Sequence, residues 1–424
     1  MAERGPRTDV SMRTIGTRGR MDGLRRNNHR SAAPMKAVVF HGIGDIRLDD
    51  VPEPIIQEPT DAIVRLTASA ICGTDLHFVR GSFEGMKPGT ILGHEGVGIV
   101  EAVGPMVRNF VPGDRVVIGS TIACGVCSYC RAGYYAQCDN ANPHGNRAGT
   151  AFFGGPGPTG PWNGLQAEKA RIPFAHVGMV KIPDGVSDDQ AILVSDIFPT
   201  GWFGADLADV HEGHTVAVFG CGPVGQFTIA SLRLMGAGRI FAVDHQEDRL
   251  EMARRQGAEV INFDREDPVE TLVALTGGIG VDRAIDAVGV DAEHAGHGHS
   301  HGSAGAPHAH NPDPWSPGDA PDQALNWAVA ALAKAGTLSI IGVYPPAQTS
   351  FPIGQAMNKN LTVKMGNCHH RKYIPHLLDL IASGAIDPIE ILTTIEPIED
   401  AVSAYEAFNE RRPGWLKVEL VPGL

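Results

Sequence analysis

Four of the seven cysteines fall within fifteen residues, as Cys124, Cys127, Cys130 and Cys138. The spacing C-x2-C-x2-C-x7-C lets four thiolates converge tetrahedrally on one Zn2+ from a single loop. Four thiolates fill every position of a tetrahedral ion, so the expected role is structural and not catalytic. An odd cysteine total with this clustering argues for metal over disulfides and for a reducing compartment, the cytoplasm. An iron–sulfur site is the alternative use of the same spacing, and unrelated buried thiols are the bland one.

A second constellation is built from glycine. The apolar run Thr215-Val216-Ala217-Val218-Phe219 leads into Gly220-Cys221-Gly222-Pro223-Val224-Gly225 and then a helical pattern, with Asp244 ending the next strand-like run. A lone Gly-x-Gly-x-x-Gly is weak evidence; strand before, helix after and an acid about twenty residues on make it a dinucleotide fingerprint. Gly220 allows the tight turn, Gly222 admits a pyrophosphate and Gly225 lets helix and strand pack closely. The helix N-terminus then faces the phosphates. Asp244 would accept from the adenosine ribose hydroxyls and repel a 2′-phosphate, which favours NAD over NADP.

A third constellation joins Cys72-Gly73-Thr74-Asp75-Leu76-His77 to Gly93-His94-Glu95-Gly96. Thiol, imidazole and carboxylate are metal-ligand types, yet either segment alone reads as readily as a small buried thiol and a satisfied core histidine.

The elements that must hold these residues come in two styles. Residues 35–120 read as short strands between Gly and Pro turns, with Lys36–Phe40, 62–71, 98–103 and 113–118 as strands. Residues 139–165, rich in Gly, Pro and Asn, read as surface loop. From 214 to 342 the pattern alternates: strands at 214–219, 238–243, 259–263, 282–287 and 337–342, helices at 223–236, 246–256, 267–275 and 322–335. That alternation predicts a parallel, doubly wound sheet. Helical segments at 371–383 and 399–409 and a strand at 416–421 follow. Residues 289–321 interrupt the pattern with Gly, Pro, Ala and six histidines (His294, His297, His299, His301, His308, His310), an inserted loop.

The net charge of −13 argues against nucleic acid as a partner. No apolar run approaches the length of a membrane span. Residues 1–34 carry eight Arg against Glu3, Asp9 and Asp22. Without an apolar stretch they read as a disordered extension or an over-long gene start, and not as a secretory signal.

Taken in order, the two zinc-type motifs and the glycine fingerprint resemble the zinc-containing medium-chain alcohol dehydrogenases, from Met35 onward apart from the 289–321 insert. The resemblance implies an α/β fold: a β-rich GroES-like catalytic domain, 35–197 with 367–424, and a doubly wound Rossmann cofactor domain, 198–366. It implies Cys72 and His94 as catalytic-zinc ligands, with Glu95 beside the metal and Asp75 orienting the ligand histidine. The third ligand falls in Ser195-Asp196-Ile197-Phe198-Pro199-Thr200-Gly201. Many members carry Cys there; here Asp196 stands in, as in the glutathione-independent formaldehyde dehydrogenase branch. Two anionic ligands and a neutral imidazole still balance Zn2+, and a carboxylate donates less electron density than a thiolate, leaving a stronger Lewis acid.

The resemblance implies two zinc ions per chain, one catalytic and one structural, and hydride transfer between a zinc-activated alcohol, or hydrated aldehyde such as formaldehyde, and NAD. It implies that the proton leaves through Thr74 and His77. It implies cofactor contacts from Thr200 and Val224 at the nicotinamide, Arg249 at the adenosine ribose and Lys417 near the pyrophosphate; Gly73 stands where some members have a basic phosphate contact. A homodimer or homotetramer, and an insert folded over the adenosine end of the cofactor, follow from the same likeness; with Gly and Ala flanking its histidines, the insert reads equally as a solvated, flexible linker. A polyol or larger-alcohol dehydrogenase of the same superfamily is the nearest alternative. A non-catalytic NAD(P)-binding protein, like some lens crystallins, is the alternative of another class, against which Cys72, His94 and Asp196 argue.

Overall fold

A computed structural model describes residues 34–142, 144–145, 149–290, 292–293 and 315–423. The Arg-rich extension up to residue 33, and the six insert histidines, lie outside the described residues.

The alternating half of the chain folds into a six-stranded sheet, all of it parallel. The spatial order is Glu259–Asn262, Arg239–Asp244, Thr215–Phe219, Val281–Asp286, Leu332–Ile340, Thr362–Met365. In chain order this is 3-2-1-4-5-6, the doubly wound arrangement whose order reverses at the strand Thr215–Phe219. Its central strands Thr215–Phe219 and Arg239–Asp244 are nearly continuous apolar runs, as strands buried on both faces require. Two departures stand out. The helix expected over 322–335 stops at Ala331, since Leu332 already pairs with Val281. The pairing then jumps to Arg283 with Thr337, and Ala335 in between sits at φ +61°. The sixth strand, Thr362–Met365, was not anticipated; it is only four residues long and half polar.

The β-rich part is a largely antiparallel sheet, Thr394–Pro397, Val418–Val421, Ala62–Ile71, Gly96–Val103, Arg115–Ile118 and Met179–Lys181, with Lys169–Ile172 also against Ala62–Ile71. Only Thr394–Pro397 and Val418–Val421 run parallel. A smaller sheet joins Asp45–Pro52, Pro34–Gly42 and Thr90–Ile91. The fold is therefore α/β, with a GroES-like and a Rossmann part.

Two helices connect them. Asp188–Ser195 opens on a capping box, Ser187 with Gln190, and Ile197–Leu207 follows after one non-helical residue. The second packs on the fingerprint helix Pro223–Leu234. Phe198 and Phe227 stack with centroids 4.5 Å apart, and a Cβ on Gly201 would stand 2.6 Å from the Thr228 nitrogen. Small size at Gly201 thus fixes how closely this connecting helix approaches the fingerprint helix.

Residues 139–165 are more than surface loop. Asn142, Ala151, Phe153 and Leu165 are buried. Phe152 stacks on Phe78 at 5.7 Å and stands edge-on to His94 at 6.3 Å. The aromatic pair at 152–153 was the signal in the sequence that this stretch packs.

Candidate active site

Cys124, Cys127, Cys130 and Cys138 bring their sulfurs within 4.8 Å of one another, and none of the seven cysteines is in a disulfide. The loop aims N–H donors at the sulfurs: Val126 and Cys127 at Cys124 Sγ (both 3.4 Å), Cys130 at Cys127 Sγ (3.4 Å) and Cys124 at Cys138 Sγ (3.2 Å). Burial would raise the Cys127 thiol, but the backbone N–H groups of Cys130 and Asp139 outweigh it and bring it down to about 7. Donors converging on the Cys127 sulfur favour thiolate, the form that binds metal, whereas at Cys138 burial outweighs its N–H donors and pushes the thiol up to about 11.

Cys72, His94, Glu95 and Asp196 form the second cluster, all buried, their ligand atoms again within 4.8 Å. His94 Nε2 lies 3.2 Å and Cys72 Sγ 3.7 Å from Asp196 Oδ2. Bonds of ~2.0–2.3 Å at tetrahedral angles put ligand atoms about 3.3–3.8 Å apart, so the three groups fit one zinc ion.

Each ligand is aimed by its local structure. Cys72 ends the strand Ala62–Ile71 and caps the helix Gly73–Val79. Asp75, on the first turn of that helix, accepts from the Cys72 N–H with one oxygen (2.9 Å) and meets His94 Nδ1 with the other (3.0 Å). One carboxylate thus fixes two ligands, and it leaves Nε2 of His94 facing the cluster. Burial opposes charge on His94, but Asp75 and Asp196 outweigh it and hold its pKa well above the ordinary value. Asp196 is the single break between the helices Asp188–Ser195 and Ile197–Leu207, at φ −141° and ψ −64°. Its carboxyl is held well below the usual range: burial pushes it up, but His370 and His94 more than offset that.

Glu95 lies beside the cluster as expected, but turned to Lys417. The Lys417 ammonium stands 2.7 and 2.6 Å from the two Glu95 oxygens and 3.1 Å from the Ile71 carbonyl. Both side chains are fully buried. Lys417 is therefore not at a pyrophosphate: the sheet that contains Val418–Val421 carries it underneath Cys72, where it neutralises Glu95. Two charged residues alternating with Leu416, Val418 and Leu420 were the sequence sign of a buried, paired lysine. Burial raises the Glu95 carboxyl, Lys417 pulls it back, and it comes to about 7.

A cavity of about 220 Å3 runs from Cys72, Thr74 and His77 to Gly222, Asp244 and Arg249. Pro223 and Val224 line it too. The glycines behave as their spacing required. Gly220 sits at φ +90°, with Val288 2.6 Å from where a Cβ would stand. A Cβ on Gly225 would fall 1.9 Å from the Gly220 carbonyl, whereas on Gly222 nothing lies nearer than Arg249 at 4.0 Å. Gly225 is closed by packing and Gly222 open towards the cavity. Asp244 accepts from the Cys221, His245 and Gln246 N–H groups (2.7, 2.7 and 3.0 Å). The basic groups that do line the cavity are Arg80, Arg249 and Arg411.

His77 is 7% exposed and lines the cavity, so it is no ordinary surface histidine. Thr200 Oγ1 lies 3.1 Å from Asp196 Oδ1. Sequence reasoning missed Ser120 and His370, which meet Asp196 Oδ1, and Thr121, which meets His370 Nδ1; the adjacent pair His369-His370 ahead of an amphipathic helix was the only hint.

Comparison with known proteins agrees with this architecture. Residues 58–184 match the alcohol dehydrogenase GroES-like domain family, and residues 223–295 the zinc-binding dehydrogenase family. The uncharacterized zinc-type alcohol dehydrogenase-like protein AdhB of Bacillus subtilis is 37% identical, covering 92% of this chain and all of that one. Alcohol dehydrogenase TADH from Thermus sp. ATN1 superposes with a TM-score of 0.77 at 34% identity, over 92% of this chain and all of that chain. The glutathione-independent formaldehyde dehydrogenase of Pseudomonas aeruginosa is 34% identical over 78% of this chain and 80% of its own. With near-complete coverage of both chains and a cysteine cluster and cavity in the expected places, this chain belongs to the zinc-type medium-chain alcohol dehydrogenase family.

Proposed function

We propose that the protein oxidises a small alcohol or hydrated aldehyde with NAD, using one zinc held by Cys72, His94 and Asp196 and a second held by Cys124, Cys127, Cys130 and Cys138. One observation carries the reading: three metal-ligand types from three distant segments meet at Cys72, which lines one end of a cavity whose other end is the glycine fingerprint. Bound there, zinc supplies Lewis acidity that makes an alcohol proton easy to lose, and NAD supplies the hydride acceptor.

The chain's own residues do the rest. Gly222 leaves room for a pyrophosphate and the N-terminus of Pro223–Leu234 faces it. Asp244, anionic and held by three N–H groups, favours ribose hydroxyls over a 2′-phosphate, with Arg249 alongside. Arg411, which lines the cavity as Lys417 does not, is our candidate for the cationic contact that the sequence had suggested for Lys417. Thr74 and His77 share the cavity wall with Cys72, and a hydroxyl followed by an imidazole can pass a proton outward, each able to donate and accept. We read 35–197 with 367–424 as the catalytic domain and 198–366 as the cofactor domain, a division supported by the two sheets. A homodimer or homotetramer remains the expected assembly by likeness alone.

Asp196 in place of a thiolate, together with the relative from Pseudomonas aeruginosa, favours formaldehyde among the substrates. NAD reduction with formaldehyde, methanol, ethanol, longer alcohols and polyols, each with and without glutathione, tests this. Zinc is measured on the same sample. Two zinc ions per chain and turnover of formaldehyde without glutathione are the expected results. Activity confined to polyols would reject the formaldehyde assignment, and absence of zinc would reject the mechanism.

A further inference from the structure

Asp196 turns its two carboxylate oxygens to different surroundings. Oδ2 faces the ligand cluster, 3.2 Å from His94 Nε2 and 3.7 Å from Cys72 Sγ. Oδ1 faces away from it, 2.6 Å from His370 Nε2 and 3.1 Å from both Ser120 Oγ and Thr200 Oγ1. A carboxylate oxygen only accepts, so the proton of the short contact belongs to His370 Nε2. The other ring nitrogen, Nδ1, lies 3.1 Å from the Thr121 hydroxyl. His370 is buried, and it is not among the residues whose ligand atoms gather within 4.8 Å. It stands behind the ligand, not beside the metal position.

A carboxylate can hold a metal through one oxygen or two. The two-oxygen mode would take a second coordination position, the one a substrate oxygen needs. Three donors on Oδ1 oppose that mode, because turning Oδ1 to the metal would break the 2.6 Å contact with His370 and leave its N–H only the longer, uncharged hydroxyl oxygens of Ser120 (3.1 Å) and Thr200 (3.4 Å) as acceptors. His370 itself is firmly seated. It opens the helix His370–Ala382, and its neighbour His369 accepts the N–H of Ala136 at 3.2 Å through Nδ1. Ala136 lies two residues before Cys138, so the turn that delivers His370 is tied to the four-cysteine lobe.

We infer that His370 is a positioning residue that restrains Asp196 to one-oxygen coordination and so keeps a metal position open for substrate. The inference rests on Cys72, His94 and Asp196 being metal ligands, and the test separates the two. Cobalt(II) is exchanged for zinc, and the difference spectrum against Asp196→Ala isolates this site from the four-cysteine lobe. Tetrahedral cobalt, lacking an inversion centre, absorbs far more strongly in the visible than five- or six-coordinate cobalt. In His370→Ala the site's bands should weaken as Oδ1 turns onto the metal, and zinc affinity should fall by ~10–100-fold. His370→Gln keeps an N–H at similar reach and should restore both. A histidine needed only for packing would lower the melting temperature and leave the bands as they are. Unchanged bands in folded His370→Ala overturn the inference while the metal reading stands; absence of site bands from the wild type overturns both. Should His370→Ala not fold, His370→Leu keeps more of the buried volume while still removing the N–H, and unchanged bands there overturn the inference equally.

Discussion

The two ligand clusters solve opposite problems with opposite materials. The four-cysteine lobe draws everything from one loop, and the donors that steady its sulfurs are mostly backbone N–H groups of that same loop. The Cys72–His94–Asp196 cluster spans 124 residues of sequence and is steadied by side chains: Asp75 behind His94, Lys417 against Glu95, His370 behind Asp196. A closed site can be local, since symmetrical ligands need only a tight loop. An open site must resist filling its own vacancy, and that takes groups arriving from different directions.

The largest expected effect breaks the local cluster. Cys127→Ser should lose one zinc and much of the folded protein, because binding at a four-thiolate site is part of the folding free energy. Metal content and the melting curve would show it; a variant with full zinc content and an unchanged melting temperature would dissolve the distinction between the clusters. Asp196→Ala comes next. Turnover should vanish with the fold intact and NAD binding, followed by fluorescence titration, within about twofold of wild type, since the fingerprint lies on another segment. Retained activity would remove Asp196 from the metal site.

A smaller loss should follow Asp75→Asn, which swaps one of two acceptor oxygens for a donor. Either the Cys72 N–H or His94 Nδ1 loses its partner, and zinc affinity of this site should drop by ~10–100-fold with the four-cysteine site unchanged. Competition with a chelator reads both sites at once. Equal losses at the two sites would mean the clusters are not independently supported.

The smallest effect concerns the sheet behind the open site. Burial raises the carboxyl of Glu419 to about 8, helped by Asp189 and Asp188 and opposed by Lys417. The unfolded chain releases that proton near pH 4.5, so between there and about pH 8 the folded state holds one more proton and stability falls as pH rises. Below that window the contribution is complete; above it, lost. Glu419→Gln should therefore flatten the decline in melting temperature between pH 5 and 8. Parallel profiles for the two proteins would refute the assignment.

The same contrast governs what could be read from the sequence. Four cysteines at loop spacing, and glycines between a strand and a helix, carry their geometry in consecutive residues, and both patterns appear in the structure as sequence logic required. Cys72, His94 and Asp196 do not; nothing in their spacing says that they meet, and only a family likeness joined them. Lys417 went astray for the same reason. Its position along the chain suggested a cofactor contact, but its partner Glu95 lies 322 residues away, and that pairing exists only once the strand Val418–Val421 lies against Ala62–Ile71. His370 left almost no trace, since a histidine ahead of a helix has no periodicity to betray it. The strand Thr362–Met365 was overlooked because an edge strand needs little apolar content.

The buried Glu95–Lys417 pair also sets a timetable. During synthesis Lys417 is made 322 residues after Glu95. At ~5–20 residues per second the ribosome needs roughly 15–65 s to travel between them. Through that interval the nascent β-rich part holds an uncompensated carboxylate where its interior should be, and lacks the strand that would close over it. The metal pocket thus reaches its finished form only once Lys417 has been made and its strand has paired with Ala62–Ile71.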